Sequence, residues 1–259
     1  MSTEARLRAL VAVAESGSVR EAARRLTVTE PAVSAALAAL AREVRAPLVE
    51  RDRTLSDEEI RLFWCGCDGV GWPFGPLFQL LLLTAQRRDE LAHANWKEFD
   101  LDRASWMLPR ERVKNDRAHL VHLSGRATKI LKALPRIGER GFLFTTTGET
   151  PVSGFGRARD RLTAVMVEIG GGAAIEPFTL HDLRRTAATG MAGIGIAPHV
   201  VDKILNHVSG AIRGVAAIYN RHAYIDERKA AIEAWSRRVE SLVDSAAATS
   251  NVLAIKAAN

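Results

Sequence analysis

From Ala5 to Arg51, apolar residues recur three and four positions apart, and this spacing predicts one compact helical unit. Leu7, Leu10, Val11 and Ala14 mark its first helix, and Ser16-Gly17-Ser18 ends that helix and caps the next. Val19 to Leu26 is short, and its pair Ala22-Ala23 is small enough for a neighbouring helix to come close. Thr27 to Pro31 makes a turn. Pro31 falls in the first turn of a third helix, Val33 to Val44, where a missing N–H does no harm.

The pattern changes at Leu55. Ser56 followed by Glu59 is a capping box opening a new helix over LSDEEIRLFW. Gly69 to Pro76 reads as a loop, and Leu77 to Leu83 as a buried helix with Arg87 and Arg88 at its end. Glu90 and Leu91 resume helical spacing toward Trp96. Ser105–Leu108 and His119–Leu123 alternate as strands around a polar tip, Arg110 to Arg117, with Lys114-Asn115 at the turn. Helices follow over Ala127–Leu134 and Arg157–Ile169, the second basic and amphipathic, with the short apolar segment Phe142–Phe144 between them. Thr179 is an N-cap candidate ahead of Asp182, where the helix dipole favours an acid. Pro198–Leu205 forms a helix ending in Asn206-His207. A last helix follows Tyr219 and runs to about Leu242, and a frayed tail begins at Ser245. The fold class expected is mainly α with a small antiparallel β-hairpin or sheet. The expected domains are residues 1–53, 54–244 and a flexible 245–259.

The 259 residues, 47% hydrophobic and 25% charged, are those of an ordinary globular protein. A net charge of +6 tilts the reading toward a polyanion partner. Glu4, Arg6 and Arg8 interrupt any signal-peptide pattern, and Leu77 to Leu83, broken by Gln79, is too short to cross a bilayer. The expected location is the cytoplasm, with no membrane contact. Cys65 and Cys67 have no second pair to complete a zinc site and are read as reduced thiols. Neither Gly170-Gly171-Gly172 nor the glycines from Gly190 to Gly195 form a phosphate cradle, for no strand leads in and no GK[ST] follows.

Chemistry gathers around PFTLHDLRRTAAT, Pro177 to Thr189. His181 and Arg184 are three apart on a helix and point the same way, so a group titrating near neutrality stands beside a permanent planar cation. Arg87, Lys114, His207 and Tyr219 complete the set. A tyrosine hydroxyl is a poor nucleophile that needs a base and a charge-neutralised electrophile. A phosphodiester becomes one when two guanidiniums fork onto its non-bridging oxygens, in the place a metal ion takes elsewhere. The bland alternatives are a solvated Lys114 and a Tyr224 that packs near Trp235.

Leu55 to Leu242 resembles the catalytic domain of a tyrosine recombinase of the phage or genomic-island integrase type. TAQRRDEL is similar to the family's first arginine box, with Ala85 where glycine is usual. The resemblance makes Arg87 the first phosphate arginine and Glu90 its acidic support. VKND implies Lys114 as general acid. HDLRR implies His181 as proton acceptor and Arg184 as second phosphate arginine. ILNH implies that His207 bonds the phosphate, and IYNRHAY supplies the nucleophile, with Tyr219 preferred over Tyr224. Arg88, Arg117 and Arg185 are further candidate DNA contacts. No cofactor and no metal are expected, since the resemblance implies a 3′-phosphotyrosine that conserves the phosphoester energy. It also implies a double-stranded DNA attachment site, a homo-tetramer on DNA, and host or element-encoded accessory DNA-bending proteins.

AVAESGSVREAARRLTVTEPAVSAALAALAREVRAPLVER resembles the helix-turn-helix head of a LysR-type transcription regulator. Ser34 is its candidate DNA contact, but Ala35, Ala36, Ala38 and Ala39 follow it where long donors are expected, and Glu30 brings a negative charge to the turn. Neither the wing nor the long dimerising helix of that family follows Arg51. In integrases of this kind a helical core-binding domain is expected ahead of the catalytic domain, and here the head occupies that place. Three readings stand: a working recombinase, a chimeric remnant that only binds DNA, and a LysR-like regulator.

Overall fold

Alanine decides how the first three helices meet. The computed structural model describes residues 2–16, 19–44, 53–113, 117–207 and 224–256, and divides into two units, Met1–Asp52 and Arg53–Asn259. In the smaller unit, α1 (Thr3–Ser16), α2 (Val19–Arg25) and α3 (Glu30–Val44) bury Ala9, Ala12, Val13, Ala22, Ala23, Val33, Ala36 and Leu37. Leu7 and Val11, expected to mark the apolar face of α1, are instead 48% and 54% exposed. The helix is rotated so that its alanines sit at the crossings, where short side chains permit the closest approach.

In the larger unit, α4 (Asp57–Val70) begins at the Ser56–Glu59 capping box: the Glu59 N–H donates to Ser56 Oγ at 3.2 Å and the Ser56 N–H to Glu59 Oε2 at 2.9 Å. The expected loop over Gly69–Pro76 shrinks to 71–73, because α5 (Phe74–Thr84) already contains Gly75 and Pro76. Pro76 is tolerated there since N–H groups of a first turn have no partner inside the helix. Gly75 is required because a Cβ would lie 2.2 Å from the Cys67 carbonyl oxygen. Cys67 is buried and Cys65 half-buried, and burial pushes both thiols up. Leu77, Phe78 and Leu80 to Leu83 are all buried, making α5 the axis of the core.

Against α5 pack α6 (Arg88–Ala92), α7 (Gly125–Ala133), α9 (Leu180–Gly193) and α11 (Ile225–Lys256), while α8 (Phe155–Ile169) packs on α4 and α10 (Pro198–Ile204) on α9 and α11. Trp235 on α11 ties to α5 by donating its indole N–H to the Leu82 carbonyl at 2.9 Å. The stretch from Ser245, expected as a frayed tail, continues α11 as far as Lys256. The sheet has three antiparallel strands in the order β1 (Phe99–Asp100), β2 (Ser105–Leu108), β3 (His119–His122), with Trp106 opposite both Phe99 and Val121. A two-residue β1 is too short to leave an alternating pattern, so this third strand of the expected small sheet was not located in the sequence. Among the described residues no helix is long and apolar enough to cross a membrane.

Candidate active site

The loop after α5 turns sharply to present Arg87. Ala85 caps α5 in the left-handed region (φ 55°, ψ 22°), and Arg87 is the N-cap of α6. Arg87 therefore does not sit at the end of the apolar helix, as the sequence suggested, but opens the next one. Its backbone N–H donates to Glu90 Oε2 and its Nη1 to Glu90 Oε1, each at 2.9 Å. Glu90 is buried, while about a third of the Arg87 side chain (31%) reaches solvent. The guanidinium is anchored on one edge and open on the other.

Arg184 lies on α9, which starts as expected at Thr179. The Thr179 N–H and hydroxyl donate to Asp182 Oδ2 at 2.8 and 2.9 Å, and Arg185 Nη1 donates to Asp182 Oδ1 at 2.8 Å. Burial pushes the Asp182 carboxyl up, but the Thr179 N–H, Arg185 and the Thr179 hydroxyl together hold it below the usual range. One and a half turns into the helix, Arg184 is 4% exposed. Its Nη1 donates to the Ala85 carbonyl at 2.6 Å and its Nη2 to the Leu205 carbonyl. Burial, then the neighbouring Arg87 charge, lower its pKa to about 10, against a smaller opposing pull from Glu90. It stays cationic near neutral pH.

The third segment is the end of α10. Asn206 adopts a left-handed conformation (φ 51°), its N–H reaching the Lys203 carbonyl (3.3 Å) while the His207 N–H reaches the Asp202 carbonyl (3.0 Å). This pair of bonds is a Schellman motif, with asparagine standing in for the usual glycine. It leaves His207 half-exposed, Nδ1 3.4 Å from Asp202 Oδ1. Burial and the Arg184 charge lower the His207 pKa, outweighing Asp202.

These effects bring Arg87, Glu90, Arg184 and His207 into one electrostatic site. His181 is exposed on α9, one turn before Arg184 and on the same face. Of the candidate DNA contacts, Arg88 is exposed, pairs with Asp89 at 2.7 Å and lies 5.1 Å over the Phe155 ring. Arg185 is half-buried on Asp182, Arg117 is exposed two residues ahead of β3, and Ser34 is exposed on α3 of the smaller unit. Lys114 and Tyr219 lie outside the described residues. Tyr224 does not continue the last helix as expected: it precedes α11 with φ 50°, and its ring meets His199 at 4.7 Å, where packing near Trp235 was anticipated.

Two side chains at this site were not anticipated. His119 is buried, its Nε2 3.1 Å from the Ile204 carbonyl, and burial, then Arg228, push its pKa down to about 4. Gln86, also buried, donates Nε2 to the same carbonyl at 3.1 Å and to the Thr84 carbonyl at 2.8 Å. The available signal was His119 itself, a histidine on the inward side of an alternating strand. Among the described residues no three His, Cys, Asp or Glu side chains are grouped to hold a metal ion.

The chain belongs to the phage integrase family, whose profile matches residues 73–225, an interval running from before Arg87 to beyond Tyr219. A second profile, that of bacterial regulatory helix-turn-helix proteins of the lysR family, matches residues 5–57. The chain is similar to prophage integrase IntA of Escherichia coli (strain K12), 32% identical over 168 residues, covering 64% of this chain and 38% of IntA. Prophage integrase IntZ of the same strain is 30% identical over 170 residues, covering 64% of this chain and 39% of IntZ. The chain thus spans less than two-fifths of the length of these relatives. Among solved structures, the Tn1549 transposon integrase in complex with a circular intermediate DNA has a TM-score of 0.57 at 17% identity, covering 86% of this chain and 82% of that one. A lambda integrase dimer bound to a COC' core site has a TM-score of 0.51 at 16% identity, with 83% and 81% coverage. At these identities the likeness is one of fold.

Proposed function

We propose that this chain is a site-specific DNA recombinase that cuts and rejoins strands through a 3′-phosphotyrosine. Tyr219 Oη attacks the phosphorus in line, His181 takes the tyrosine proton, and Lys114 protonates the departing 5′-oxygen. Arg87 and Arg184 neutralise the non-bridging oxygens, and His207 donates to one of them. A 5′-hydroxyl from another strand then reverses the step, expelling the tyrosine, so neither ATP nor a metal enters the balance. The substrate is a double-stranded attachment site, bound by a homo-tetramer with accessory DNA-bending proteins in the cytoplasm.

The observation that carries this reading is the rigid mounting of two guanidiniums from α9 and the α5–α6 loop beside His207. Arg184 is locked on two backbone carbonyls, and Arg87 is locked on Glu90. Such fixed cations supply the preorganised field that a phosphoryl transfer uses.

The test is to incubate the full chain with nicked duplexes carrying the attachment sequence of its element, and to look for a covalent protein–DNA adduct. An adduct that Tyr219→Phe abolishes supports the assignment. Loss in Tyr224→Phe alone moves the nucleophile to Tyr224. Salt-sensitive DNA binding without any adduct favours a recombination-deficient remnant.

A further inference from the structure

The end of α10 is tied down more heavily than a seven-residue helix requires. The last carbonyls of a helix have no partner within it and ordinarily turn to water. Here Asp202 and Lys203 are satisfied by the Schellman bonds, and the next two carbonyls are each taken by side chains from elsewhere in the chain. Leu205 accepts from Arg184 on α9. Ile204 accepts from both Gln86, in the loop after α5, and His119, on β3. Both contacts of the Gln86 amide nitrogen are with carbonyl oxygens, so its donating face is unambiguous. The same reasoning puts the His119 proton on Nε2, the atom that faces Ile204.

Three residues beyond Ile204 stands His207. We propose that His119 is a positioning residue for His207: together with Gln86 it pins the end of α10, and so sets where His207 meets the phosphate oxygen. This rests on the recombinase reading for the identity of the ligand, but the positional claim concerns the free protein. Three cations surround His119, namely Arg228 on α11, Arg184 on α9 and Arg87 at the start of α6. A positive charge on the imidazole would be repelled from all three. The ring works as a neutral donor, which Arg or Lys at this position could not imitate without adding charge.

The experiment follows the ring resonances of His207 by NMR during a pH titration of the full chain. His119→Leu removes the donor to Ile204 and leaves the charge almost unaltered above about pH 5, since a group with a pKa of about 4 is nearly all neutral there. The expected result is a His207 midpoint displaced upward by about half a pH unit or more, as the ring escapes Arg184 and partial burial. His119→Gln, whose amide nitrogen can occupy the place of Nε2, is expected to keep the original midpoint. Gln86→Leu, removing the other donor to the same carbonyl, is expected to shift it in the same direction and serves equally if His119→Leu does not fold. An unmoved His207 midpoint in a folded His119→Leu or Gln86→Leu protein overturns the proposal.

Adduct formation separates this result from the recombinase reading. A wild-type chain that forms no adduct counts against that reading, while the titration still judges the position of His207. If the adduct forms, His119→Leu is expected to slow it about tenfold at unchanged DNA affinity, with most of the rate restored in His119→Gln. Equal rates in all three proteins would also count against His119.

Discussion

Glu90 holds Arg87 twice, through the backbone N–H and through Nη1, both at 2.9 Å. One carboxylate thereby sets the start of α6 and the direction of the guanidinium together. Because Glu90 is only 6% exposed, its carboxylate exchanges little with water. Glu90→Gln would turn one of the two accepting oxygens into a donor facing another donor. The expected outcome is a loss of about 1 to 3 kcal/mol in unfolding free energy, read by urea denaturation. Arg87 would lose its anchor at the same time, and adduct formation should slow by about tenfold or more in a single-turnover assay.

Arg184→Lys keeps the charge and loses the fork. A single ammonium on a flexible stem cannot reach the Ala85 and Leu205 carbonyls in the same geometry, so at least one buried acceptor is abandoned. Destabilisation by about 1 to 3 kcal/mol is expected from denaturant midpoints. In the same variant, adduct formation should fall far more than DNA binding, measured side by side.

Acid should weaken the fold through His119. Its native pKa of about 4 lies below the ordinary histidine value of 6.5, so between these values the unfolded chain binds the proton and the native one does not. Stability is then complete above about pH 6.5 and falls as pH drops toward 4, by about 3 kcal/mol across the window. His122 and His207, also lowered, act in the same direction. Between about pH 7.5 and about pH 4.5 the urea midpoint of wild type should fall more steeply than that of His119→Gln. Parallel slopes would remove His119 from the account.

The clearest features of the chain were those with a local cause. Ser56 and Glu59, and Thr179 and Asp182, announce helix starts through their own side chains, and both starts form where expected. The apolar run from Leu77 to Leu83 could only be buried, and it is. Gly75 and Pro76 misled because each looks like a loop residue in isolation. The glycine answers to the Cys67 carbonyl eight positions away, a contact no local pattern encodes. In the site, the boxes around Arg87, Arg184 and His207 were legible as short motifs. What connects them was not: the bonds from Arg184 to Ala85 and from His119 to Ile204 span 99 and 85 positions, and end on backbone carbonyls that carry no residue identity.

Ala85 offers a test of strain. A left-handed conformation costs a residue with a Cβ about 1 to 2 kcal/mol, and Ala85 occupies it at a helix cap where glycine is the common solution. Ala85→Gly should raise stability by about 0.5 to 1 kcal/mol, the gain being reduced by the greater freedom of glycine in the unfolded chain. Differential scanning calorimetry would register it as a higher Tm. A lower Tm would mean that the buried methyl contributes more than the backbone loses.

The boundary at Asp52 divides charge as unevenly as it divides mass. Met1–Asp52 carries eight arginines against seven acidic residues, so five of the six formal positive charges reside in the unit from Arg53 onward. Long-range attraction of any polyanion is therefore a property of the larger unit, and added salt should slow the encounter through it. The smaller unit, with its single net positive charge, adds little to that pull.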